Sequence, residues 1–262
     1  MPKISFRDLP AVVAILIGAA LVAAIWLPAR HLSVAIVIWA VCLGAALAVF
    51  TAAILWLGMG AARPWRLWRA CLPSFVLLIS SFGYLLIIES TVGSYLLAAV
   101  VTALVGSHLS QVRSVLSDES PDDPALAYLA NLVGLAGLFL FLAFLYGINS
   151  YYYISMPLLG LAAAALVAGL AGESLAGFGL SSAELPVVVV VFGALEFQAY
   201  VGFSFLPTGS LVNATVNIIL FAVSLYVVRM IMRGAGEVRY FRRELALSFL
   251  SIAVLLATAG WF

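Results

Sequence analysis

Nine long apolar runs, at about residues 9–29, 33–59, 71–89, 93–111, 125–148, 155–173, 185–206, 210–231 and 245–262, leave this chain few ways to fold. A helix needs roughly 20 apolar residues to cross a hydrocarbon core about 30 Å thick. Inside lipid every backbone N–H and C=O must be satisfied within the protein, so only helices and closed barrels span. Barrel strands alternate lipid-facing and lumen-facing residues with period two, and these runs are continuous. The reading is an all-α polytopic transmembrane bundle of about nine spans. The sixth run is the most interrupted, because Gly172-Glu173 and a Gly/Ser-rich stretch follow its apolar part. Composition agrees: 66% of residues are hydrophobic and 9% charged, with mean hydropathy +1.22. A soluble domain carries about 25% charged residues, and a soluble fold of this length must still show much of its surface to water. Lipid is therefore the principal partner, and a nucleic-acid partner is not expected.

Helix punctuation places several ends. Asp123-Pro124 offers a cap and a first-turn proline to the fifth helix. Leu206-Pro207-Thr208-Gly209-Ser210 closes the seventh helix and offers Thr208 or Ser210 as a cap for the eighth. Glu89-Ser90-Thr91-Val92-Gly93 makes a similar tight turn between the third and fourth. Short connections of this kind predict antiparallel neighbours.

Orientation follows from where the positive charge lies. With the N-terminus in the cytoplasm, Lys3, Arg7, Arg63, Arg66, Arg69, Arg113, Arg229, Arg233, Arg239, Arg242 and Arg243 are all inside, leaving only Arg30 of the 12 basic residues outside. Cytoplasmic loops collect Lys and Arg, so this orientation is strongly preferred to its inverse. Nine spans then put the C-terminus outside, with Trp261-Phe262 as an interfacial anchor. The first run is too long for the 7–15-residue core of a signal peptide and is taken as a retained helix. Arg63, Arg66 and Arg69, with Arg239, Arg242 and Arg243, sit among aromatic residues. They serve as topogenic charge and interface anchors or, on the sharper reading, as binders of anionic headgroups.

The chain also resembles itself. Shifted by 116 residues, "GSYLLAAVVTALVGSHLSQVR" (93–113) faces "GSLVNATVNIILFAVSLYVVR" (209–229) without a gap, and eight of 21 positions are identical. Gly44-Ala-Ala-Leu-Ala resembles Gly160-Leu-Ala-Ala-Ala, and Leu72-Pro73 matches Leu185-Pro186 at a slightly shorter offset. The expected organisation is one integral membrane domain. It has a first four-helix half (1–115), a second (116–232), and a basic loop with a ninth helix (233–262). Halves with an even number of spans insert in the same sense, related by an axis along the membrane normal.

Polar chemistry is expected only in the second half, where residues 196–217 hold Glu196, Gln198, Tyr200, Asn213 and Asn217. The aligned first-half helix has Leu97 and Val101 in place of the two asparagines. Glu196 and Tyr200 are four apart and share a helix face, as do Asn213 and Asn217. In an antiparallel hairpin turning near residue 208, Asn217 lies within about one turn, about 5.4 Å, of the level of Glu196. A charge at mid-bilayer costs at least about 2.5–3.5 kcal/mol on insertion scales. Glu196 must therefore be protonated, paired or hydrated. Two readings stay open: a polar bond that fixes helix packing, or a site on a proton, cation or small-molecule pathway.

The remaining features exclude more than they assign. The stretch "SDESPDDP" (117–124) lacks the spacing of an EF-hand loop. Cys42 and Cys71 lie at different depths, and His31 and His108 are far apart, so neither a disulfide nor a metal site is expected. No HExxH, GxSxG or Walker A sequence occurs, and Lys3 is the sole lysine. No catalytic residue and no cofactor are expected. The stretch "LEFQAYVGFSFLPTGSLVNA" resembles a segment in a family of uncharacterised multi-pass membrane proteins from small-genome bacteria. That resemblance covers about a tenth of the chain. It implies a bacterial inner membrane and brings no site residues. The leading functional expectation is a small transporter-like or permease-like protein with its polar site around Glu196. The alternative is a non-catalytic scaffold or accessory subunit, held against a partner membrane subunit or a second copy.

Overall fold

In the computed structural model the described residues are 9–26, 32–58, 64–118, 124–151, 154–176, 183–233 and 238–259. Among them are nine α-helices and no strand: α1 (Leu9–Trp26), α2 (Leu32–Gly58), α3 (Pro64–Leu85), α4 (Thr91–Asp118), α5 (Pro124–Tyr151), α6 (Met156–Ala176), α7 (Leu185–Ser204), α8 (Ser210–Arg233) and α9 (Val238–Thr258). Seven are long and apolar enough to cross a membrane. The exceptions are α3 and α9, whose apolar parts shrink to Ala70–Leu85 and Leu245–Thr258. Both open on arginine-bearing turns: α3 begins well upstream of the expected start, on Pro64, and takes Arg66 and Arg69 into its first turns. Arg239, Arg242 and Arg243 likewise lie on α9. The side chains of these five arginines, together with Arg63, Lys3, Arg7, Arg30, the acidic stretch 119–123 and Trp261-Phe262, lie outside the described residues.

Prolines mark the helix starts as their chemistry requires. Pro64 and Pro124 each begin a helix, and Pro186 sits in the first turn of α7, where a missing N–H leaves no bond unmade. Pro73, which aligns with Pro186, lies instead inside α3. Ser90 caps α4, accepting a 3.1 Å bond from the Gly93 backbone N–H. At the aligned hairpin Thr208 donates its hydroxyl to Asn213 Oδ1.

The helices gather into two compact units, Met1–Leu140 and Phe141–Phe262. In the first, α1 packs on α2 and α4, and α3 also packs on both, so the four helices close a ring. Its core holds Ile17, Leu21, Phe50, Ile54, Leu77, Leu78, Phe82, Val105 and Leu109, all fully buried. Trp39 Nε1 donates to the Phe82 carbonyl at 2.7 Å, satisfying one of the last α3 carbonyls, which has no partner inside its own helix. Gly137 of α5 lies so close to α3 that an added Cβ would meet Leu77 N at 2.8 Å.

The second unit is built around α6 against α7, with α8 touching both and α9 lying on α8. Gly160, Ala164, Ala168 and Gly172 recur every fourth residue along α6. A Cβ on Gly160 would sit 3.1 Å from the Phe197 ring, and one on Gly172 would sit 2.9 Å from Val189. Gly193 of α7 returns the contact against Ala168 and Ala164. Lipid supplies no hydrophobic drive between helices, and close backbone approach through small residues replaces it. At the same 116-residue offset α2 carries Gly44, Ala48 and Ala52, yet these are exposed, and nothing lies within 4 Å of a Cβ on Gly44. The aligned α4 and α8 bury equivalent positions: Ala98 and Ala214, Val101 and Asn217, Val105 and Phe221, Leu109 and Leu225.

Candidate functional site

Glu196 lies past the middle of α7 and is 4% exposed, its side chain inside the second unit. Asn217, at 1% exposed, reaches it from α8: Nδ2 donates to Glu196 Oε1 at 2.7 Å. The same Nδ2 lies 3.3 Å from Tyr146 Oη on α5. Tyr146 donates to the Tyr200 carbonyl at 3.4 Å, a weak bond, and Ser204 Oγ donates to that carbonyl at 2.8 Å. The rings of Tyr146 and Tyr200 stack, with centroids 4.5 Å apart and planes 20° from parallel. Three helices thus bring a carboxyl, an amide and two phenols into one buried cluster.

Two atoms of this cluster have no hydrogen-bond partner among the described residues: Asn217 Oδ1 and Tyr200 Oη. Glu196 likewise has no basic side chain beside it among the described residues; Asn217 is its hydrogen-bond partner. An unpaired carboxylate in such surroundings is expensive. The group is held in one of two ways, by a proton or by a positive charge brought to it.

Only part of the expected constellation assembles. Asn213, though buried, is drawn away: it accepts from Thr208 and its Nδ2 points to the Thr208 carbonyl at 3.5 Å. It fastens the α7–α8 turn, because it lies one helical turn beyond Asn217 toward that turn. Gln198 is exposed on the outer face of α7, beside Ala194, Leu195 and Gly202. Two residues along a helix is about 200° of rotation, so Gln198 cannot share the face of Glu196 and Tyr200. Tyr146 was not anticipated. It is one aromatic in an α5 stretch rich in Leu and Phe, and nothing local sets it apart.

The first unit has polar chemistry of its own, against the expectation that only the second would. Ser74 on α3 and His108 on α4, both fully buried, are joined by a 2.7 Å bond between Oγ and Nδ1. His108 Nε2 and the buried Ser80 Oγ have no hydrogen-bond partner among the described residues. Counting outward from the α3–α4 turn places Ser74 and His108 level, the same count that places Asn217 near Glu196, so the signal was present. Further along, Arg229 of α8 donates to Ser174 in the last turn of α6. A cation there also meets the partial negative charge of a helix C-terminus.

No family model, curated protein or solved structure matches the chain. The functional reading therefore rests on the cluster itself.

Proposed function

We propose that the chain is a small permease-like protein of the bacterial inner membrane, with its N-terminus cytoplasmic and its C-terminus outside, and that the Glu196 cluster lies on the path of the transported species. The observation that carries the reading is a mid-span carboxyl turned into the protein, bonded to one neutral amide and, among the described residues, matched by no basic side chain. Ionisable groups inside a membrane are rare and concentrate on ion and substrate pathways. The shared inward face of α4 and α8 supports a parallel duplication of the two halves.

A competing reading is a scaffold or accessory subunit, and one observation favours it. The exposed face of α7 joins Val187, Val191 and Leu195 to the amide of Gln198, a polar group suited to another membrane helix. The two readings separate in reconstituted vesicles. The purified protein is screened against ions and small organic solutes by thermal shift, and each stabilising solute is then offered to proteoliposomes. Uptake above protein-free vesicles that disappears in Glu196→Gln supports the permease. Absence of uptake for every stabilising solute, with a stoichiometric membrane partner retained through purification, overturns it.

A further inference from the structure

Gln198 carries a polar group that lipid cannot serve. Its side chain is exposed, and among the described residues nothing bonds its amide. It stands six residues short of the end of α7 at Ser204, about 9 Å inside the span at a rise of about 1.5 Å per residue. Hydroxyls exposed along other spans are answered locally: Ser107, Ser110 and Ser251 each donate to the carbonyl four residues back on their own helix. The Gln198 amide, with two donors and an acceptor, finds no such answer. In hydrocarbon a polar group left unbonded is costly, so this one calls for a partner.

The residues around Gln198 shape its face for a close neighbour. Successive helical residues turn by about 100°, which puts Val187, Val191, Ala194 and Gly202 within about 40° of Gln198 around the axis. All four are exposed. Ala194 and Gly202 lie one turn to either side of Gln198, and a Cβ on Gly202 would meet nothing within 4 Å. Small residues so placed let two backbones approach in lipid. A second copy of the chain supplies what the amide lacks. Copies insert in the same sense, and a two-fold axis along the membrane normal brings each residue against itself at its own depth. A glutamine amide is its own complement, since Nε2 of each copy can donate to Oε1 of the other. On α2, Gly44, Ala48 and Ala52 are equally small and exposed, but hold no polar group that needs a partner.

We propose that the protein is a parallel homodimer in the membrane, closed by α7 against α7 with Gln198 paired to Gln198 across the two-fold axis. Glu196 and Tyr200 lie on the opposite, buried side of α7, so the pairing holds whether or not that cluster passes a solute. The test uses the full-length protein, labelled at its C-terminus with donor or acceptor fluorophores. It is reconstituted into phosphatidylcholine vesicles over a falling series of protein-to-lipid ratios. Energy transfer gives the dissociation constant, and single-molecule photobleaching counts the copies. The expected result is saturable transfer with two-step bleaching.

Gln198→Leu should raise the dissociation constant by about tenfold, the effect of losing two interhelical amide bonds in lipid. Gly202→Leu places its side chain in open space in the single copy, and should wedge the two α7 helices apart and weaken the dimer by more than Gln198→Leu does. Gly44→Leu, equally open on α2, should leave the dimer intact. Unfolding midpoints at the lowest protein density check that each variant keeps its fold. Single-step bleaching at every density overturns the proposal. So does a dimer indifferent to both α7 variants, or one lost in Gly44→Leu. If the purified chain stays single while a photoreactive residue at position 198 cross-links to a different membrane protein, the second copy is overturned and the scaffold reading gains that face. Uptake is scored separately: a dimer that moves no solute keeps the pairing and removes only the permease reading.

Discussion

Glu196→Gln and Asn217→Val break the same hydrogen bond in unequal ways. In Glu196→Gln the side-chain oxygen can still accept from Asn217 Nδ2, now 2.7 Å from Glu196 Oε1. That variant should fold and insert with a stability loss below about 1 kcal/mol, the net worth of one neutral bond. Asn217→Val leaves a buried carboxyl without its amide donor, which costs about 1–3 kcal/mol. Unfolding midpoints in detergent compare the two; equal losses would show that the bond is not what holds the carboxyl. Tyr146→Phe is expected to be milder still, under about 1 kcal/mol, because its hydroxyl contacts are long, at 3.3 and 3.4 Å, and the stack on Tyr200 is kept. A loss as large as that of Asn217→Val would make the phenol a principal support of the cluster. At this scale the sequence showed the pairing of Glu196 with Asn217 through hairpin depth and helix phase. It did not show that Asn213 turns to Thr208, since one helical turn separates the two asparagines and only the actual turn geometry decides which partner each can reach.

Helices in this chain are held by small residues, and individual glycines test that directly. A Cβ on Gly137 would lie 2.8 Å from Leu77 N and 2.9 Å from Leu77 Cα, backbone atoms that cannot swing aside. Gly137→Ala should force α3 and α5 apart and cost about 1–3 kcal/mol, the range for overpacking. Gly44 faces open space, so Gly44→Ala should be neutral or stabilising by up to about 1 kcal/mol through helix propensity. Thermal unfolding of the two variants checks the contrast, and a destabilising Gly44→Ala would mean that its face is packed in the membrane. Helix limits were legible because proline, serine and glycine act locally: Pro124 starts α5 as read, and within the turn expected at 89–93 the structure adds Ser90 as the cap of α4. The start of α3 was misplaced because apolarity marks the lipid-crossing part of a helix, and the helix itself runs on through Trp65, Arg66 and Arg69.

For the molecule as a whole, the arginine distribution predicts a cytoplasmic N-terminus and nine crossings. Reporter fusions after α2, α4, α6 and α8 should read cytoplasmic, and one at residue 262 should read outside. The shorter apolar parts of α3 and α9 make the last of these the sharpest: a cytoplasmic C-terminus would show that one of those two helices does not cross. The sequence by itself determined that the chain is a helical membrane protein and where its nine helices lie, because length, apolarity and capping are written in neighbouring residues. Tertiary structure alone decided which faces turn inward. A span that is apolar on every side carries little amphipathic signal, so nothing in α5 marked Tyr146, and nothing marked the α6 stripe as packed while its counterpart on α2 stays open. In lipid, burial is settled by which backbones can approach and which polar atoms can meet, and both are properties of helices already assembled.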